Sequence, residues 1–518
     1  MSTMALSEGT TIGASRDVRY PGLLLFTFLI LNLAFLIFFC DRDGYEGDDL
    51  NSVVPMFHLD AAKQGALYIY RYAWQPLSYE LGAAVYRVTH WPDAVFMLAP
   101  VCAAISHSLL LLMLWRDRRL ATSLASLVVL LAIPELWYSG LYFNSTVLGL
   151  PFALTALWLL RSRLSLPAAM LAGTLTGIAI LMRLDFILAC PALAVIAWSA
   201  GRSIGPPLVL ALGVVGVLIA ATLIGWLEPA QILLTYRESS AEIVAKSADP
   251  GWDLRTKLFV ASVVLSPIGW GIVLLGGPDV VLRALRHDRI IFLAWAAAIA
   301  ALAIPLRGLL SAKYVIPLLM FTPLFLASAL SAIERRTPEG PRRFLLPAAV
   351  VASCFLLIFS FSLTGTAPYI HIGLQATRPV VTHDGFRSYG GYLWQMAAVD
   401  RYVPRLESQL AADCIISEIM RGGPDIVVVG QESAMLPGGI GWRHVQLGLE
   451  RAGYQGTFVA PHQISFDVNG HRLTLLTQAS QEAIAGFDRG RGVKLYDLRD
   501  SELVASCPLK SVQAGTTE

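Results

Sequence analysis

Residues 21–40, PGLLLFTFLILNLAFLIFFC, carry no charged side chain and, as a helix, are long enough to cross the hydrocarbon of a bilayer. Ten further apolar runs follow, near 94–114, 120–138, 144–160, 165–182, 185–200, 206–227, 258–277, 290–306, 312–331 and 344–363. Hydrocarbon gives an open backbone no hydrogen-bond partner, so runs of this kind must form helices packed in a bundle. Glycine and proline inside several of them are ordinary in membrane helices. The composition agrees: 55% of the 518 residues are hydrophobic and 15% charged, with a mean hydropathy of +0.60, which excludes a water-soluble chain of this size. The expected fold is an α-helical polytopic membrane protein with about 11 transmembrane helices.

The first run follows Arg16 and Arg19 and lacks a small-residue cleavage site, which makes it a retained signal anchor. With a cytoplasmic N-terminus, the inner segments carry Arg116, Arg118 and Arg119; Arg161 and Arg163; Arg202; Arg283, Arg286 and Arg289; and Arg335, Arg336, Arg342 and Arg343. Every inner segment is then positive, as insertion into the cytoplasmic (inner) membrane demands. The alternate segments are 41–93, 139–143, the turn at Arg183, 228–257 and the turn at Arg307. They show no such bias. An odd number of spans places everything after about residue 365 outside.

The tail changes character. DIVVVG (425–430) reads as a buried strand, GWRHVQLGLERAGY (441–454) as an amphipathic helix, and HQISFDVNGHRLTLLTQ as two strands joined at Asn469-Gly470. The expected organisation is a membrane domain over 1–365, with a first outer loop at 41–92, and a small extracytoplasmic α/β domain over 366–518. In an oxidising compartment Cys414 and Cys507 can pair as a disulfide or remain two buried thiols. Six cysteines without a C-x-x-C motif exclude the usual structural zinc site. A net charge of +2 with dispersed basic residues excludes nucleic acid as the partner.

The first outer loop opens with DRDGYEGDDLNS (41–52), continues through a helical stretch, NSVVPMFHLDAAKQGALYIYRY, and passes WQPLSYELGAAVYRV before re-entering near Trp91-Pro92. Over 77–89, Leu77, Leu81, Ala84, Val85 and Val88 recur at helical spacing, as in a helix lying on a membrane surface. The Asp48-Asp49 pair can take a proton from a hydroxyl or hold a divalent cation such as Mg or Mn; a solvated acidic loop is the other reading.

An acidic doublet some ten residues past the first span, then a helical stretch, then Trp74-Gln75-Pro76-Leu77-Ser78-Tyr79, resembles the first outer loop of GT-C glycosyltransferases. The similarity is to the protein O-mannosyltransferase-like group, which includes bacterial transferases adding aminoarabinose or other sugars to lipid A and lipopolysaccharide core. Farther on, AKYVIPLLMFTPLFLASAL (312–330) is similar to that family's late R-Y-x-x-P segment, with Lys313, Tyr314 and Pro317 at the matching positions. Two departures stand out. Gln75 occupies a position where relatives often carry proline, and Lys313 replaces the usual arginine, keeping the charge but losing the bidentate fork.

The resemblance implies a polyprenyl-phosphate-linked sugar as donor, an acceptor hydroxyl approaching from the outer face, and inversion at the anomeric carbon. It makes Asp48 the general base, with Asp49 beside it, and places Gln75, Tyr79 and Tyr314 in the substrate cavity. Arg183, Lys313 and Arg307, near the outer boundary, are the candidates to hold the donor phosphate. For each the other reading is a snorkelling anchor, or for Arg183 an ion pair with Asp185 across LMRLDF. NST at 144–146 reads as polar residues lining the outer cavity, with Glu135 and Tyr138 nearby. The loop 228–257, with Tyr236, Arg237 and Trp252, reads as a connection or as a lid. His107, inside an apolar run, reads as a hydrogen-bonded core residue. The acceptor expected is a lipid or saccharide. A protein O-glycosyltransferase, a lipid-linked saccharide transporter or flippase, and a membrane platform for an external interaction domain stay open as alternatives.

Overall fold

The computed structural model describes residues 21–38, 40, 48–62, 72–116, 140, 143–162, 165–230, 232–233, 282, 289–302, 316–324, 426–430, 442–460, 463–477 and 494–497. Where they are described, the apolar runs are mostly helical, because hydrocarbon gives their backbone no hydrogen-bond partner outside the segment. These helices are α1 (Pro21–Phe38), α6 (Leu98–Arg116), α7 (Ser145–Ser162), α8 (Leu166–Met182), α9 (Cys190–Gly201), α10 (Gly205–Leu223) and α11 (Arg289–Leu302). Among the described residues, three helices are long and apolar enough to cross a membrane: Pro92–Trp115, Ser145–Ser162 and Gly205–Leu223. The runs expected at 120–138, 258–277 and 344–363 lie outside the described residues.

One run departs from its expected form. The stretch from Leu184 to Ala189 is a 3-10 turn, and α9 starts only at Cys190. Pro191 lacks the N–H that a continuous α-helix would donate back to residue 187, so the preceding turn tightens instead.

Between the first two runs lie α2 (Asp48–Phe57), α3 (Leu59–Ala62), α4 (Pro76–Thr89) and α5 (Pro92–Phe96). Proline at N1 suits α4 and α5, since the missing N–H there has no intrahelical acceptor. On α4, Ser78, Tyr79, Gly82 and Ala83 pack inward; of the predicted apolar stripe only Ala84 and Val88 are exposed, whereas Leu77, Leu81 and Val85 are half-buried against the core, so the expected membrane-surface face is only partly free. A side chain at Gly82 would collide with Met56 and Val95, so this glycine sets how closely α2 approaches α4.

Among the described helices, α8 and α10 cross with their backbones in close contact. A Cβ on Gly173 would run into the Leu210 carbonyl oxygen, and one on Gly213 would sit 2.6 Å from the Met170 carbonyl oxygen. Gly177 meets Val217 in the same seam, and such stripes of small residues let backbones touch where lipid gives no hydrophobic drive to associate. The other face of α10 presents Leu208, Leu212, Val215, Ile219 and Leu223 outward, as a lipid-facing helix must.

In the tail a five-stranded sheet has the order β2-β3-β4-β1-β5, from β1 (Ile426–Gly430), β2 (Gly456–Ala460), β3 (Gln463–Val468), β4 (His471–Thr477) and β5 (Lys494–Asp497). β1 runs parallel to β4 and β5, whereas β2, β3 and β4 form an antiparallel meander. Asn469 and Gly470 both take positive φ, 54° and 87°, the geometry of a two-residue hairpin turn. Helix α13 (Trp442–Arg451) packs on this sheet. Strand, helix and hairpin thus stand where periodicity and turn residues place them.

The α8–α10 seam generates a paired prediction. Gly173→Ala must push a methyl into backbone and should lower stability by about 1–3 kcal/mol. Gly216→Ala, on the same helix as Gly213 but with open space around it, should be neutral or slightly stabilising. Thermal unfolding of the two purified variants in detergent checks both.

Candidate functional site

Distant segments converge at one end of the bundle. The Ser78 hydroxyl donates to the Met182 carbonyl oxygen at 2.8 Å, tying α4 to the end of α8. Leu77 packs with Leu181, Ala221 and Leu227, which brings the end of α10 to the same place. A short helix, α12 (Ile316–Leu319), lies against the 3-10 turn and α7, with Ile316 buried among them. The loop 41–93, the 139–143 turn, the Arg183 turn and the start of 228–257 are the segments that alternate with the arginine-rich ones. Their described parts gather at one end.

A string of polar side chains occupies this junction. Arg183 caps the C-terminus of α8, its N–H donating to the Ala179 carbonyl oxygen at 3.0 Å. Its guanidinium Nε donates to Asp185 Oδ2 at 2.6 Å and its Nη1 to Ser145 Oγ at 3.1 Å. The Ser145 hydroxyl in turn donates to Gln75 Oε1. Arg183 and Asp185 are 15% and 14% exposed, so the pair is largely withdrawn from solvent. The ion pair across LMRLDF is therefore present, and the cation also reaches two other segments.

Each member is placed by local structure. A guanidinium at the C-terminal end of α8 complements the partial negative charge of the last carbonyls. Phe186, fully buried, sits against Gly149 of α7, where a side chain would exclude it; this locks the turn bearing Arg183 and Asp185. Asn144 accepts from the Thr146 N–H at 2.9 Å through Oδ1, an N-cap that starts α7 and fixes Ser145 at its first turn. The NST triplet is buried at the junction, held by hydrogen bonds.

The remaining sequence candidates fall in several places. Asp48 and Asp49 open α2, a favourable position for negative charge, and their side chains lie outside the described residues. Tyr79 is fully buried in the cluster of Val53, Val54, Met56, Phe57 and Phe96, with its ring edge-on to Tyr72. Lys313, Tyr314, Arg307, Cys414, Cys507, Glu135 and Tyr138 lie outside the described residues. The helix immediately after Lys313-Tyr314 does meet the Arg183 turn. His107 hydrogen-bonds Asn32 at 3.0 Å between α6 and α1, the core role its apolar setting implies.

Sequence reasoning missed the groups that join the tail to the first loop. Glu450 on α13 contacts His58 at 2.6 Å and accepts from the Tyr86 hydroxyl at 2.9 Å. Arg451 donates to Asp93 at 2.8 and 3.0 Å. A polar stripe on an amphipathic helix carries no mark that distinguishes a buried partner from water. Burial, reinforced by Glu450, holds the Tyr86 phenol well above its usual range; burial and then the hydrogen bond to Glu80 do the same for Tyr72. Burial drives the fully enclosed Arg443 guanidinium downward.

No family model matches the sequence, and no curated protein matches it. Solved structures do. ArnT from Cupriavidus metallidurans in the apo state superposes with a TM-score of 0.52 at 16% identity, covering 91% of this chain and 89% of that one. ArnT from the same organism bound to undecaprenyl phosphate superposes with a TM-score of 0.51 at 16% identity, covering 92% and 90%. The chain therefore has the ArnT fold over nearly its whole length.

Two outcomes test the site's physics. Asp185→Ala leaves the Arg183 guanidinium without its closest anion and should cost about 3–5 kcal/mol in unfolding; the paired Arg183→Met, Asp185→Leu variant should recover most of that. The raised phenols give a pH dependence. Below pH about 10 folded and unfolded chains both hold these protons and the stabilisation is complete. At higher pH the unfolded chain releases them first, so stability falls as pH rises. Tyr86→Phe should make that fall shallower in alkaline unfolding.

Proposed function

We propose that this chain is an integral-membrane glycosyltransferase of GT-C type that moves a single sugar from a polyprenyl-phosphate donor to an acceptor hydroxyl. The observation that carries the reading is a fold shared, over some nine-tenths of both chains, with a protein solved with undecaprenyl phosphate bound. The quoted first-loop and KYVIP motifs point the same way, and the helix after the second of them packs at the Arg183 turn. In this reading the converging end faces outward from the cytoplasmic (inner) membrane, the N-terminus is cytoplasmic, and the tail domain over 366–518 is extracytoplasmic.

The chemistry follows from what the reaction needs. A phosphate is already a good leaving group, so the protein must bring the hydroxyl into line, take its proton and meet the departing charge. Asp48 removes the proton as the acceptor oxygen bonds the anomeric carbon. The bond from that carbon to the phosphate oxygen breaks with inversion, and the polyprenyl phosphate leaves with the electron pair. Asp49 supports the base. Arg183, with Lys313 and Arg307, supplies positive charge for the phosphate; Gln75, with Tyr314, borders the sugar, while Tyr79, fully buried in the apolar cluster, supports the loop from behind. Arg183 keeps its charge at the boundary because Asp185 and Ser145 compensate it, and its orientation is set by the buried Gln75–Ser145 link. The acceptor class is a bacterial glycolipid, lipid A or lipopolysaccharide core, presented beside the lipid donor.

The test uses membranes holding wild type or Asp48→Asn, incubated with radiolabelled polyprenyl-phosphate sugars, with label followed into lipid and polysaccharide. Loss of a general base should reduce transfer by about 10²–10⁴-fold in a normally folded variant. Undiminished transfer by that variant removes Asp48 from the role, and no transfer by wild type from any such donor removes the enzyme class.

A further inference from the structure

Helix α13 belongs to the tail, yet its polar face is buried against the first loop. Arg443, Gln446, Leu447 and Glu450 recur at three- and four-residue spacing, which puts them on one stripe, and all are buried. Leu447 lies in the same cluster as Val53, Val54 and Phe57 of α2. Beside it the Glu450 side chain is fully enclosed, with one oxygen at 2.6 Å from His58 Nε2 and the other accepting from Tyr86. Gln446 adds a longer contact to the same carboxylate, at 3.5 Å. One helical step on, Arg451 pairs with Asp93, an ion pair with 11% and 5% side-chain exposure.

A buried carboxylate is costly, and it persists only where its oxygens are satisfied in one arrangement. Here satisfaction requires three elements at once. His58 follows α2 directly; Tyr86 lies on α4, its ring stacked on Phe57 at 4.5 Å; Glu450 comes from a segment 392 residues away in sequence from His58. The carboxylate therefore fixes the C-terminal end of α2 against α4. At its other end α2 begins with Asp48. The ten residues span about 15 Å, with Pro55 removing one backbone hydrogen bond near the Phe57 end, so a shift at the Phe57 end is passed along the helix to the Asp48 end.

We propose that Glu450 is a positioning residue: acting through His58 and Tyr86, the C-terminal domain clamps helix α2 and so sets the reach of the acidic pair at its start. This deepens the reading in which Asp48 is the base, and rests on it. The Arg451–Asp93 pair secures the same helix to the outer end of the Pro92–Trp115 span, leaving Glu450 as the group that reads the position of α2.

The experiment compares full-length wild type, Glu450→Ala and Glu450→Gln in nanodiscs by amide hydrogen exchange and by transfer kinetics. In Glu450→Ala, amides over 50–57 should exchange at least about ten-fold faster while α8 and α10 keep wild-type protection. The same variant should lose about 10–100-fold in kcat, with donor KM within about two-fold of wild type, as misplacement of a reacting group does. Glu450→Gln retains an acceptor for Tyr86 and should restore most of both. Unchanged exchange over 50–57 in Glu450→Ala overturns the proposal, as does a loss confined to donor KM. If Glu450→Ala does not fold, His58→Ala and Tyr86→Phe probe the same carboxylate from its other side. Their effects on exchange should be coupled, and strict additivity overturns the clamp. A wild type that transfers no sugar counts against the glycosyltransferase reading, while exchange still decides whether α13 holds α2.

Discussion

A guanidinium that cannot be left bare near hydrocarbon organises this protein. Arg183 stands at the end of α8 with its charge largely out of water, and meeting that charge draws in Asp185 from the turn, Ser145 from the start of α7 and, through Ser145, Gln75 from the first loop. Each hydrogen bond alone is worth little against the entropy of ordering its partners. The penalty for leaving the cation unpaired is what makes the arrangement specific. Close packing supplies the rest: Phe186 against Gly149 seats the turn, and the Gly173 and Gly213 contacts set the neighbouring helices at a spacing larger residues would forbid.

A second buried ionic junction repeats this logic between the tail and the first loop. Glu450 and Arg451 meet His58, Tyr86 and Asp93 across a boundary that the sequence presents as a break between membrane and external domains. The two junctions hold the first loop at separate points, one at Gln75 ahead of α4, the other at His58 after α2 and Tyr86 on α4. The loop bearing the acidic pair is thereby tied to both parts of the chain.

Much of this was legible in the residues. Apolar runs mark α1, α6, α7, α8 and α10 to within a few residues because charge is excluded from hydrocarbon, and Asn469-Gly470 marks the hairpin because both residues take positive φ. NST stood out as polarity at the edge of an apolar run, and it lies in the polar string. Two features could not be read. The 3-10 turn after Arg183 depends on where Pro191 interrupts a run that otherwise looks continuous. The burial of Arg443, Gln446 and Glu450 depends on a partner hundreds of residues away, and helical periodicity reports which residues share a face without reporting what covers it. The acidic pair was singled out by resemblance rather than by charge alone.

The central claim is that the end of the bundle organised by Arg183 receives a polyprenyl phosphate. Native mass spectrometry of the purified full-length protein, titrated with undecaprenyl phosphate and with undecaprenol of the same chain length, tests it most directly. The account predicts one tightly retained equivalent of the phosphorylated lipid, little retention of the alcohol, and loss of the difference in Arg183→Met, Asp185→Leu. Equal retention of both lipids by wild type would contradict it.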